Sequence, residues 1–264
     1  MAKKKLTMYD IDPMGEAMFA DESLELAERV GLGMIEAAKH NDIYFTKNIL
    51  PTAHMNCPEG HIWYAFHGHG VSYVEDELVE KYPELKDEIH RRCVQGLALG
   101  NAGYYDPHTP MCTVMTNRHT NWAGTWGGHA NPDFGRIVNI GTEGVRKKIA
   151  ECAPKHPESD YFYRACSYAM DALDILGERF HALATSLAKK EKDPKNKERY
   201  LKAAKAFEVI PKKPAYDFTS GVLCFWLVFT FDGIDSPGRF DQYMFRTYAL
   251  SDDREEVLDV LDRL

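Results

Sequence analysis

The side chains best suited to chemistry fall into a few clusters. His54, Cys57, His61, His67 and His69 lie within sixteen residues, and imidazole and thiolate are the usual ligands of zinc. Their spacing is poor for a metal. His67 and His69 would share one face of a strand, Cys57 and His61 sit four apart in a turn containing Pro58, and no second cluster closes a site. Histidines making ordinary hydrogen bonds are the expected state, with no metal. The six cysteines, 57, 93, 112, 152, 166 and 224, show no CxxC and no strained Gly-x-Cys-x-Gly turn. Reduced thiols are therefore expected rather than a disulfide framework or a Cys–His nucleophile. No glycine-rich phosphate loop is present.

Two further stretches carry more. In Trp122-Ala-Gly-Thr-Trp126-Gly-Gly-His129 the paired glycines permit close backbone approach, while two indoles and an imidazole could wall a pocket. The same residues could equally pack a crowded loop, and His129 is the candidate for hydrogen bonding to a substrate. In Ser236-Pro-Gly-Arg239-Phe-Asp241-Gln242-Tyr243 a fixed cation, a carboxylate and an amide stand within four residues, beside a Pro-Gly turn. Arg239 and Asp241 could close a local ion pair or face a substrate, and the ion pair is the plainer expectation.

These stretches need elements to hold them. Apolar spacing predicts a helix over 21–40, capped at Asp21-Glu22-Ser23, then a less regular region with a strand at Ile62–Phe66. A helical pattern covers 75–99, broken or restarted at Pro83, and a Gly, Pro and Trp-rich segment over 100–133 reads as an ordered loop or site. Helices follow from Phe134 to about Ile149, over 159–191 with a stripe through Ala165, Leu173, Leu176 and Phe180, and over 196–207. The apolar run Phe218–Phe231 reads as a buried helix or strand. The last helix, Arg254 to Leu264, stops on apolar residues without a Gly or Asn cap, as an element expected to continue. No repeat is seen.

A net charge of −8 over 264 residues argues against a general nucleic-acid binder. The longest apolar run, 14 residues, is too short to cross a bilayer core of about 30 Å. With no secretory signal after Lys3–Lys5, the expected location is the cytoplasm.

The segment Ser236–Tyr243 resembles the S-x-G-R-x-D-Q-Y signature of glycyl radical enzymes of the pyruvate formate-lyase-like family. Gly128-His129-Ala-Asn-Pro-Asp133-Phe134 with Gly141-Thr-Glu-Gly144, and Glu198–Pro211 with Pro214–Phe218, are similar to two more family segments in the right order. The resemblance covers about residues 75–264, with 1–74 matched weakly, so residues 1–264 are expected to form one incomplete domain. It implies a predominantly helical α/β fold, the N-terminal portion of a ten-stranded α/β barrel. It also implies a glycyl radical, installed by an activating enzyme that uses S-adenosylmethionine and an iron–sulfur cluster, and passed to a cysteine that abstracts hydrogen from substrate. No Gly-Cys dipeptide and no R-V-x-G-Y stretch occurs in the chain, so no catalytic residue and no directly bound cofactor is expected. The implied function is an N-terminal part or subunit of a radical dehydratase, decarboxylase or lyase. Trp126, His129, Asp133, Arg239, Asp241 and Gln242 would line the substrate side. The implied partners are a C-terminal half or second chain carrying the Cys and Gly loops, the activating enzyme and a second copy in a homodimer. The alternative is a noncatalytic or regulatory module that pairs with another chain.

Overall fold

A computed structural model describes residues 5–53, 75–100, 132–232 and 236–264. The expected strand at 62–66, the histidine cluster at 54–69, and Trp122, Trp126 and His129 lie outside these residues. In order, the described elements are α1 (Met8–Ile11), α2 (Pro13–Met18), α3 (Leu26–His40), β1 (Ile43–Phe45), β2 (Pro51–Ala53), α4 (Glu75–Lys81), α5 (Lys86–Gly100), α6 (Phe134–Cys152), α7 (Asp160–Lys190), α8 (Pro194–Phe207), α9 (Phe218–Asp232), α10 (Phe240–Ala249) and α11 (Arg254–Leu261). Among the described residues the only sheet is the antiparallel pair β1–β2, in register Ile43 to Ala53 and Phe45 to Pro51.

The centre is α9. Val222, Leu223, Cys224, Phe225, Leu227 and Val228 are all buried, which settles the apolar run as a helix enclosed on all sides. Phe225 stacks on Phe229 at 5.3 Å between ring centres and meets Phe134 edge-on at 5.0 Å and Phe240 at 5.2 Å. The hydroxyls of α9 find partners in the helix itself or in an adjacent element. Thr230 donates to the Trp226 carbonyl at 3.0 Å and accepts from the Ala53 amide at 3.3 Å, which ties β2 to the helix.

Around this core, α3 packs against α7 and α2 through glycines. A Cβ on Gly31 would lie 2.9 Å from Tyr168 Cβ, and one on Gly33 2.5 Å from Met18 Cγ. Arg179 of α7 donates to the Ala38 and Asn41 carbonyls at 2.5 and 2.8 Å, satisfying the last turn of α3. On the other side Arg92 of α5, 2 % exposed, hydrogen-bonds the Gly15 carbonyl and the Glu16 carboxylate and covers the Phe19 ring at 4.7 Å. That cation anchors the N-terminal helices.

The helix expected from Asp21 begins instead at Leu26. Asp21 Oδ1 accepts from the Ser23 amide at 3.0 Å and the Ser23 hydroxyl at 2.6 Å, so these residues make a turn and not a cap. Pro83 does separate two helices, α4 and α5.

The sharpest local constraint lies in α6, which is two helical pieces meeting at Gly141 with φ +66°. The break frees the amides of Thr142 and Glu143, which donate to the Pro211 and Lys212 carbonyls at 2.9 and 3.0 Å, while Ala215 donates to Val138 at 2.9 Å. A Cβ at Gly141 would lie 2.4 Å from the Lys212 oxygen. We expect Gly141→Ala to destabilise the protein by roughly 2–4 kcal/mol, from positive φ and backbone overlap together; urea denaturation checks it, and an unchanged midpoint would contradict this account of the break.

Candidate functional site

The described parts of the three stretches that carry the resemblance come together in space. Gly141–Gly144 docks on Pro211–Ala215 through the backbone bonds just described. The third joins them from α10. Asn139 Nδ2 donates to the Gly135 and Tyr243 carbonyls at 2.8 and 3.1 Å, and a Cβ on Gly135 would sit 2.9 Å from Tyr243 Cβ. Arg246 donates to the Ala215 carbonyl at 2.9 Å. Thr142 donates to Asp174 of α7 at 2.6 Å, and Arg146 bridges Asp171 and Asp174 at 2.7 and 2.8 Å. Each contact fixes backbone position, and none leaves an activated group.

Asp133 is the N-cap of α6, accepting from the Arg136 amide at 3.0 Å and pairing with the Arg136 side chain at 3.0 Å. It stands beside an apolar cavity of about 670 Å³ between α3, α6, α7 and α9, bounded among the described residues by Val30, Met34, Ile137, Met170, Leu173 and Phe231 among others. That size suits a small molecule or an inserted side chain. Cys166 is on its wall, and burial raises its pKa, which keeps it a thiol.

Arg239, Asp241 and Gln242 are all exposed at the start of α10. The expected Arg239–Asp241 ion pair does not form; Arg239 reaches Gln242 Oε1 at 3.4 Å instead. Residues three apart share a helix side and residues two apart do not, which accounts for the exchange. Tyr243 turns inward, donating to the Pro237 carbonyl at 2.7 Å, and burial pushes its phenol well above the usual range. The structure thus joins α6 to Tyr243 and to the 211–215 segment, keeps Asp133 at the N-terminus of α6 beside the apolar cavity, and turns Arg239, Asp241 and Gln242 outward.

Two polar clusters escaped the sequence reading. Tyr9 donates to Glu36 Oε2 at 2.6 Å and lies 2.8 Å from His40 Nε2; the hydrogen bond to Glu36 pushes its pKa up to about 12, which opposes any role as a base. Glu36 and His40, one turn apart on α3, were a readable pair, whereas Tyr9 is 27 residues distant. Asp259 of α11 gathers Lys195 at 2.9 Å, Arg199 at 2.5 Å and Arg263 at 3.3 Å, beside a cleft of about 230 Å³. Hydrogen bonds from Arg199, then Lys195, hold its carboxyl well below the usual carboxylate range. Arg263 in turn donates to the Asn48 carbonyl at 3.3 Å, so the cluster fastens α11 to α8 and to the β1–β2 turn. Burial raises the Cys224 thiol to about 12, which excludes it as a thiolate nucleophile. Among the described residues no three His, Cys, Asp or Glu side chains could hold a metal together, and no helix is long and apolar enough to cross a membrane.

A family model described as pyruvate formate lyase-like matches residues 33–259. Isethionate sulfite-lyase of Desulfovibrio desulfuricans is 31 % identical over 135 residues, which are 46 % of this chain and 16 % of that enzyme. A structure from work on 1,2-propanediol dehydration in Roseburia inulinivorans superposes with TM-score 0.67 at 20 % identity, over 96 % of this chain and 34 % of that one. A glycyl radical enzyme from Archaeoglobus fulgidus does so with TM-score 0.64 at 18 % identity, over 95 % and 36 %. The chain therefore spans about a third of the solved structures it matches.

Two outcomes check the geometry. Asp133→Ala is expected to cost about 1 kcal/mol through the lost cap, with Asp133→Asn nearly neutral. Asp259→Asn is expected to cost about 1–2 kcal/mol at neutral pH. Because the Asp259 pKa is depressed in the fold relative to about 3.9 unfolded, its contribution is present above that value and is lost as pH falls below it. The gap between Asp259→Asn and the parent protein should narrow steadily below about pH 4 in urea titrations, and a gap that widens there would contradict the assignment.

Proposed function

The chain belongs to the pyruvate formate lyase-like family, and we propose on that premise that it is the N-terminal part of a glycyl radical enzyme with dehydratase, decarboxylase or lyase-type chemistry on a small polar substrate. The observation that carries the reading is the convergence of the described parts of three separate family segments, 128–144, 198–218 and 236–243, into one hydrogen-bonded block, with Arg246 just beyond the third adding a bond to Ala215. Neighbours in sequence and structure that include a sulfite-lyase and a glycyl radical enzyme support the same class.

In this reading the described residues form a scaffold and wall, continuing into a portion of an α/β barrel. The radical, installed on a glycine by an S-adenosylmethionine and iron–sulfur activating enzyme and relayed to a cysteine, supplies the hydrogen abstraction. Both groups belong to segments beyond this chain, since it contains neither a Gly-Cys dipeptide nor an R-V-x-G-Y stretch. The chain's own contribution is position: the Asn139 bond to the Tyr243 carbonyl and the backbone bonds from 142–143 to 211–212 fix α6 against α10 and the 211–215 segment, as the walls around a radical relay need to be fixed. Trp126, His129 and Asp133 would then shape one side of the substrate cavity, with His129 the hydrogen-bonding group, and Arg239, Asp241 and Gln242 would hold the adjoining wall. Oxygen-free cytoplasm is the setting such chemistry needs.

The test is reconstitution. The chain is purified without oxygen together with any co-purifying polypeptide that carries a Gly-Cys loop and an R-V-x-G-Y stretch, and then treated with the activating enzyme and S-adenosylmethionine. A glycyl-radical doublet in electron paramagnetic resonance, seen only with both polypeptides, is the expected result. A complex that forms but takes up no radical would make the chain a noncatalytic module. Within an active complex, His129→Ala should lower turnover by about 10²-fold, and unchanged kcat and KM would refute the pocket assignment.

A further inference from the structure

Tyr9, Glu36 and His40 bring three donor atoms of metal-ligand type to one point. The Tyr9 hydroxyl lies 2.6 Å from Glu36 Oε2 and 2.8 Å from His40 Nε2, and that nitrogen lies 3.3 Å from Glu36 Oε2. Neighbouring ligands held ~2.0–2.1 Å from an octahedral ion stand about 2.9 Å apart, and those around a tetrahedral ion about 3.3 Å. The triangle therefore has the dimensions of one face of a coordination polyhedron, drawn in on one edge by the hydrogen bond from Tyr9 to Glu36.

Sequence and packing set this geometry. Glu36 and His40 are four apart on α3, the spacing at which two side chains of a helix reach one ion. Tyr9 comes from α1, where Met8 and Ile11 are buried in the core and the Thr7–Asp10 capping box fixes the turn. Its ring meets the His40 ring edge-on at 5.3 Å. The next helix, α2, lies against α3 where a Cβ on Gly33 would overlap Met18 and crowd Met14. The phenol is thus carried to α3 by packed neighbours, which is how a site is held ready before its ligand arrives.

We propose that Tyr9, Glu36 and His40 form a binding site for a divalent transition-metal ion, held by the phenolate oxygen, one carboxylate oxygen and imidazole Nε2. Imidazole with two oxygens suits zinc, nickel or copper better than calcium or magnesium. On binding, the phenol O–H bond breaks as the oxygen–metal bond forms, the proton leaves to water, and the ion replaces the hydrogen bond to Glu36. Two anionic oxygens then balance the two charges of the ion. Lys39 holds Glu36 Oε1 at 2.7 Å, which leaves Oε2 as the ligating oxygen. Glu36 is mostly covered whereas Tyr9 and His40 are exposed, so the remaining positions on the ion face water and stay open to a further ligand. The site shares no residue with the motif block and stands whether or not the radical reading does.

Titration of the purified chain with copper(II) and zinc tests it. Copper binds most tightly in the divalent series and colours a phenolate complex, so it reports which oxygen ligates. The expected result is one equivalent of copper bound with a phenolate-to-copper charge-transfer band in the visible, which Tyr9→Phe abolishes. In calorimetry His40→Gln should weaken zinc binding by roughly tenfold or more, while His156→Gln, at an exposed histidine paired only with Glu158, leaves it unchanged. Tyr9 and His40 are both exposed, so circular dichroism should be the same in every variant. Absence of binding, copper bound without the band, or a band that survives Tyr9→Phe would overturn the site; the last two mean an adventitious ion only. Equal loss of zinc in the two histidine variants would overturn it as well.

Discussion

A fifteen-residue helix with no polar face cannot lie at a surface, and α9 has to be walled on every side. The walls are β2, α6, α8, α10 and α11, each in contact with it. The enclosure is apolar almost throughout, because the helix satisfies its own backbone and its few hydroxyls bond within one turn or to an adjacent element. Gly221 shows how close the walls stand: a Cβ there would meet Met244 Cε and Thr247 Oγ1 at 2.8 Å, so α10 crosses at a position where only hydrogen fits. Burial of this apolar helix is a large favourable contribution to the described fold.

From that enclosure comes the arrangement of the family segments. Once α6 and α10 both press on Phe225, through Phe134 and through Phe240 and Tyr243, the segments bearing the resemblance are neighbours. The break at Gly141 then solves a local problem. A second helical piece starting at Thr142 exposes amides that need acceptors, and the carbonyls of 211 and 212 supply them. What reads in the sequence as a glycine-rich motif is, in the described part, a backbone joint.

The long periodic helices were legible because burial of one stripe dictates their period, as with Leu173, Leu176 and Phe180 on α7. The run at 218–231 was ambiguous for the complementary reason: with every side buried it has no period to read, and only the packing partners decide helix against strand. The hairpin passed unnoticed because its strands are three residues each and one begins with Pro51. At the candidate site, residue types were readable but directions were not. Arg239 with Asp241 looked like a pair in sequence, yet helical geometry turned Arg239 to Gln242. The barrel strands implied by the resemblance have no counterpart among the described residues, whose only strands are β1 and β2.

The contrast between inside and outside bears on how such a chain can contribute to catalysis. Among the described residues its interior is tied together: α9 is buried apart from the cavity at Val228 and Phe231, α3 and α11 are fastened by Arg179 and by the Asp259 cluster, and the motif block is bonded through backbone groups. Its polar signature residues are the opposite, exposed and sparsely partnered on α10. A signature whose work was to stabilise this chain alone would turn its charges toward partners within it, as Arg92 and Arg146 do. Charges held outward on α10 keep their hydration, and any surface covering them would have to supply matching groups to offset the desolvation. An apolar surface alone would accept many neighbours, whereas Arg239, Asp241 and Gln242 beside the exposed Phe245 would disfavour those that leave them unpaired.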